Sequence, residues 1–156
     1  LMASIVLNIA KGRAVELALR VKNNDPANSA LIVIPVDAGA TTDATIRDFD
    51  TVAQVLAGGV TERTTGGWNR KTVTDAALGA IAPDDGADSY SVSIPDQTWT
   101  AVTAGAVTDL VVAYDNDTTA GSDANLVPLV LLDFPVTPDG SDVVAKFSTA
   151  DLFTAS

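Results

Sequence analysis

The run Ala30-Leu31-Ile32-Val33-Ile34-Pro35-Val36 carries no polar side chain. A β-strand sends successive side chains to opposite faces, so such a run suits a strand covered on both sides. Whatever fold this chain adopts must place apolar material above and below it. The dense turn-formers Asn23-Asn24-Asp25-Pro26-Ala27-Asn28-Ser29 deliver the chain into the run. Val107 to Tyr114 reads as another strand. Leu126 to Val136 is strongly apolar and carries Pro128 and Pro135, which suit an edge, a bulge or a strand end.

The remaining segments are shorter. Arg13 to Lys22 alternates, with Val15, Leu17, Leu19 and Val21 on one side, and is expected to be a half-buried strand. Residues 43–57 break the β pattern. Ile46, Phe49, Ala53 and Leu56 fall on one helical stripe, with Thr42 or Asp43 as N-cap and Gly58-Gly59 as stop, so one amphipathic helix is expected there. Trp68 to Val73, the alternating Tyr90, Val92 and Ile94, and the neighbourhood of Trp99 and Val102 read as short strands. Asp75 to Leu78 reads as one helical turn, and Pro83 to Ser89 as a polar loop. Thr137-Pro138-Asp139-Gly140 is a turn expected to join Leu126–Val136 and Asp142–Phe147 as a hairpin. Leu152 and Phe153 are expected to tie the tail down. The fold class is therefore mainly β: a single-domain sandwich or barrel, jelly-roll-like, with one helix at about 43–57. Residues 1–12 are an N-terminal arm or first strand, and 13–156 form one β-rich domain. With 156 residues the chain can bury a core without staples.

Composition narrows the chemistry. There is no Cys and no His, which removes thiolates, disulfides, the commonest general base and the commonest metal ligand. The net charge of −11 is uneven. Residues 1–71 hold eight of the nine basic residues against seven acids, and residues 72–156 hold only Lys146 against thirteen acids. An acidic second half argues against phosphate contacts, so no nucleic-acid partner is expected. The imbalance is a solvated acidic surface, or it is polarity, with a near-neutral part docking on a partner and an acidic part facing water. Neither a basic-plus-apolar leader nor a long apolar span is visible, so no membrane partner is expected.

Candidate sites are few. Asp115, Asp117 and Asp123 lie in an acidic loop whose oxygens suit Ca²⁺ or Mg²⁺, although the spacing is not that of an EF-hand and an ordinary Asx-rich turn explains the same residues. Asp84, Asp85 and Asp88 repeat the idea. No metal or cofactor is assigned. Asp48 and Asp50 are placed on the solvent side of the helix, and nothing marks any carboxylate pair as buried, so no catalytic residue is assigned either. Gly58-Gly59 and Gly66-Gly67 lack the Lys-Ser/Thr of a phosphate loop. Trp68, Arg70 and Lys71 form a basic-aromatic group that is an interface candidate, or a core Trp on a strand whose cations face water.

Several stretches look familiar together: Ala10-Lys11-Gly12-Arg13, Asn24 to Leu31, Asp43 to Thr51, Pro95 to Ala101 and Thr137 to Asp142. In them the chain resembles, nearly end to end, a family of small virion structural proteins of tailed phages and prophages. The resemblance implies a non-enzymatic component of the virion, in its leading form a head decoration (cementing) protein made in the host cytoplasm. It implies the major capsid protein and further copies of the chain as partners, a trimer being the assembly expected by analogy. It brings no catalytic residues. A tail or head–tail joining protein is the alternative within the particle. A surface-binding β module, such as a carbohydrate-binding domain, is the alternative outside it, limited by two Trp and two Tyr. An enzyme would need a carboxylate pair, a Ser–Lys pair or a metal.

Overall fold

The computed structural model describes residues 4–147 and 152–155. In chain order the elements are β1 (Ser4–Val6), a 3₁₀ turn at Asn8–Ala10, α1 (Ala14–Lys22), β2 (Ala30–Asp37), α2 (Asp43–Arg47), α3 (Val52–Ala57), β3 (Thr61–Glu62) and β4 (Lys71–Val73). Then follow β5 (Pro83–Asp84), β6 (Ser89–Val92), β7 (Gln97–Trp99), β8 (Val107–Asp115), β9 (Val127–Val136), β10 (Val143–Ala145) and β11 (Phe153–Ala155). The chain is mainly β, as its apolar runs predict, with three antiparallel sheets. The central one has the order β1-β9-β8-β2-β3, and β4 also pairs β2. Two small sheets, β10-β7 and β11-β6-β5, complete the set. No helix among the described residues is long and apolar enough to cross a membrane.

Strand β2 sits where its sequence demands. It pairs β8 along one edge, from Ala30 opposite Asp115 to Val36 opposite Asp109, and β3 and β4 along the other. Its alternation feeds two cores. Ala30, Ile32, Ile34 and Val36 join Val111, Ala113 and Leu131 beneath Leu7, Ile46, Val52 and Val55. Leu31 and Val33 join Leu110, Val112 and Leu129 on the opposite face, covered by Leu17 and Val21 of α1 and by Trp68, Ile94, Trp99 and Phe147. The small sheets belong to this second layer through Trp99, Ala145 and Phe153, which gives the sheet-on-sheet packing of a sandwich on that side. Leu152, buried at its place before β11, pins the tail as expected. The β8–β9 register shifts between Val112 and Ala113, opposite Pro128, so this proline marks an irregularity in the ladder.

The structure departs from the sequence reading in particular segments. Residues 14–22 are a helix, not a strand. Its buried positions are Ala14, Leu17, Ala18 and Val21, a spacing of three, one and three. The alternation at 15, 17, 19 and 21 coexists with this helical stripe. Good helix formers (Ala, Leu, Glu, Arg, Lys) and the Glu16–Arg20 pair one turn apart at 2.9 Å decide between the two periods.

Residues 43–57 are helical, but in two pieces. Thr42 caps the first, as expected. Thr51 starts the second with a capping box: its hydroxyl accepts from Gln54 N–H, and Gln54 Oε1 accepts from the N–H of Asp50 and of Thr51. The restart rotates the inner face, so Val52 and Val55 are buried in place of Ala53 and Leu56. The expected hairpin across Thr137–Gly140 is absent. The chain there leaves the central sheet, and β10 pairs β7, with Val143 opposite Trp99. Gly140 N–H donates to Val102 O, which turns the chain toward the small sheet. Of the twelve-residue start, Leu1 to Ala3 lie outside the described residues; Ser4–Val6 is a first strand on β9.

Strand β8 of the central sheet carries the buried carboxylates Asp109 and Asp115. Asp109 is 7% exposed and faces Asp133 across the β8–β9 ladder. Burial pushes its carboxyl pKa up, and the Asp133 charge adds to this, against a hydrogen bond donated by Thr108 Oγ1. A raised folded-state pKa means that the native state holds this proton more tightly than the unfolded chain. Stability is then lost as pH rises from the ordinary aspartate value through the raised one. Asp109→Asn is expected to raise Tm at pH 7, by about 2–4 °C for each 1 kcal/mol relieved. The gap between the two proteins should close as pH falls below the ordinary aspartate value. Thermal denaturation of both proteins from pH 3 to pH 7 checks this; a lower Tm for the variant at pH 7 would contradict it.

Candidate interaction surface

The acidic loop after β8 is built from its own side chains. Asp115 is 7% exposed, and its Oδ1 accepts from Asp117 N–H at 3.0 Å. Asp117 Oδ1 accepts from both the hydroxyl (2.6 Å) and the N–H (3.0 Å) of Thr119, which hold its carboxyl below the usual range. Asn125 Oδ1 accepts from Ser122 N–H at 3.0 Å. The Asp115 and Asp117 contacts are Asx turns, which satisfy carboxylates locally. Among the described residues no group of three or more acids is placed to hold a metal ion.

Asp123 goes elsewhere. Its two oxygens accept from Arg70 at 2.6 and 3.1 Å, while the same guanidinium grips Glu62 through Nε at 2.7 Å and Nη2 at 2.6 Å. One cation thereby joins the end of β3, the approach to β4 and the acidic loop. Both carboxylates raise the Arg70 pKa, so its charge is permanent. The loop also leans on α3, whose Val52 and Ala53 N–H groups donate to the carbonyls of Leu126 and Asp123. Of the metal candidates, Asp115 and Asp123 share a small groove of about 310 Å³ with Arg70, and Asp117 does not line it. A fixed cation in that groove opposes a second one.

The basic-aromatic group divides in the same way. Trp68 is 2% exposed and belongs to the core. Its Nε1–H donates to Gly105 O at 2.7 Å, and Trp99 Nε1–H donates to Asn69 O at 2.7 Å. The two rings meet edge to face with centroids 5.2 Å apart, and Lys71 Nζ lies 5.6 Å from the Trp99 centroid. Gly66, at φ +67° and with Ala104 O only 2.8 Å from where a Cβ would sit, lets the loop close over this pair. Trp68 is thus a core residue, Arg70 is tied to Glu62 and Asp123, and Lys71 stands half-buried over Trp99. The two halves of the chain interleave in the central sheet, where β8 and β9 of the acidic half sit between β1 and β2 of the near-neutral half.

A feature outside the sequence candidates is an apolar groove of about 590 Å³. Val6 of β1, Ala10, Ala14 and Val15 of the turn into α1, and Tyr90 and Phe153 of the β11-β6 pair line it, with Lys11 at the edge. Val15 is the signal that could have found it. On a helix whose buried stripe is Ala14, Leu17, Ala18 and Val21, a half-buried valine beside the stripe faces something other than the core.

Removing the Arg70 cation leaves two part-buried carboxylates facing each other. Arg70→Ala is expected to destabilise the protein by about 1–3 kcal/mol, a value discounted for partial exposure. Arg70→Lys should recover less than half of that, because an ammonium cannot make the paired contacts. Urea unfolding of the three proteins measures both, and full recovery by lysine would refute the bidentate account. No family model matches the chain, and no curated protein or solved structure matches it.

Proposed function

We propose that this chain is a non-enzymatic structural protein of a phage particle, a decoration protein that docks on the major capsid protein at the head surface as a homo-oligomer. The observation that carries the reading is where the family-like stretches fall. Asn24 to Leu31 is the entry to the doubly buried β2, and Asp43 to Thr51 supplies α2 and the cap of α3. Pro95 to Ala101 contains β7 with its buried Trp99. Thr137 to Asp142 is the crossing into the small sheet, where Asp142 Oδ1 accepts from Ala101 N–H at 2.9 Å. These motifs set turns, caps and core, which suits a stiff scaffold. The groove is apolar, and the convergent charges around Arg70 are tied in structural contacts, so the surface is suited to binding and not to bond-making.

Mixing the purified protein with undecorated heads and pelleting tests this. Saturable co-sedimentation with heads is expected, together with light scattering at three times the monomer mass of 15.9 kDa. Absence of head binding would remove the decoration role, and binding to purified tails instead would move the protein there.

A further inference from the structure

The groove lies beside an open strand edge. Among the described residues β1 pairs only with β9, Ser4 opposite Leu132 and Val6 opposite Val130, and no strand lies along its other edge. Leu7 N–H donates to Leu129 O at 3.0 Å, so it points toward β9. Backbone groups alternate along a strand, so the N–H and C=O of Ser4 and Val6 point away from β9, toward the open side. The Val6 side chain, on one face of this edge strand, lines the groove. A strand laid along β1 would meet these donors and acceptors, and every second side chain of it would lie on the sheet face on which Val6 lines the groove.

Charge specifies the visitor further. The molecule carries twenty acids against nine basic residues, and most of its arginines are consumed in ion pairs with its own carboxylates. Lys11 and Arg13, at the turn that closes the groove, are in no ion pair among the described residues; Lys11 Nζ contacts only the neutral Asn8 Oδ1, at 2.8 Å. Lys11 lines the apolar groove and Arg13 follows two residues on, and these cations without an ion pair complement a carboxylate-bearing, otherwise apolar segment. From the open edge, the apolar groove and these cations, we propose that β1 and this groove form a docking site for an extended acidic-apolar segment of a partner protein, bound by strand addition. This stands on the strand edge, the groove and the cations, and does not need the capsid reading.

The probe is an acetylated heptapeptide amide of order glutamate, glutamate, valine, threonine, valine, threonine, valine, titrated into the ¹⁵N-labelled protein. Saturable amide shifts confined to Ser4–Val6, Ala10–Val15, Tyr90 and Phe153 are expected. Val15→Asp should weaken binding on the order of tenfold by placing charge in the apolar groove. Lys11→Glu, an exposed change, should weaken it about threefold and remove most of its salt dependence. A peptide N-methylated at the central valine should lose binding, a readout that needs no protein variant. No saturable binding, or shifts elsewhere that Val15→Asp leaves unchanged, overturns the proposal. So does binding of laurate where the peptide fails, or self-association that Val15→Asp abolishes where the peptide fails; these would assign the groove to an amphiphile or to a second copy.

Discussion

Strand β2 is the element on which the others depend, because it is buried on both faces and occupied on both edges. Its leucine, isoleucines and valines each gain about 1.5–3 kcal/mol from burial only if both layers are in place. Below the sheet that requires α2 and α3, whose Ile46, Val52 and Val55 reach it; above, it requires α1, the tryptophan pair and the small sheets. The caps at Thr42 and Thr51, the crossing at Gly140 and the hydrogen bonds of the two indole N–H groups all place cover over one strand.

Charge in this protein mostly serves that architecture. Arg70 holds β3, the approach to β4 and the acidic loop together, and Arg63 Nη2 reaches Asp37 at 2.6 Å beside the end of β2. A cation shared by two carboxylates excludes water from neither, yet it removes the repulsion they would have alone. The result is a surface on which acids are numerous but committed. Such a surface is suited to staying soluble while a separate apolar feature makes the specific contact.

The central strands were legible in the sequence because their composition admits one environment only: apolar on both faces means covered on both faces. α1 was not, since Val15, Leu17, Leu19 and Val21 satisfy period two while Ala14, Leu17, Ala18 and Val21 satisfy the helical period, and two small alanines carry the difference. The division of residues 43–57 was present in the sequence as Thr51-x-x-Gln54, a helix start inside an apparent helix. The pairing of Arg70 with Asp123, 53 residues apart, has no local signature. Both residues were singled out, for separate reasons, and only the tertiary fold makes them partners. The groove is likewise an accident of placement, drawn from β1, α1, β6 and β11, none of which announces it alone.

The order β1-β9-β8-β2 also says something about synthesis. The ribosome delivers β1 and β2 first, yet β1 waits for β9, with Val6 opposite Val130, and β2 waits for β8, with Ala30 opposite Asp115. Until β8 and β9 emerge, the most apolar stretch of the early chain has only the short strands β3 and β4 to pair with along one edge. Such distant pairing makes for slow folding, with the unpaired strand exposed in the interval. The central sheet is complete only when the late β8–β9 pair fills the gap between the early strands β1 and β2.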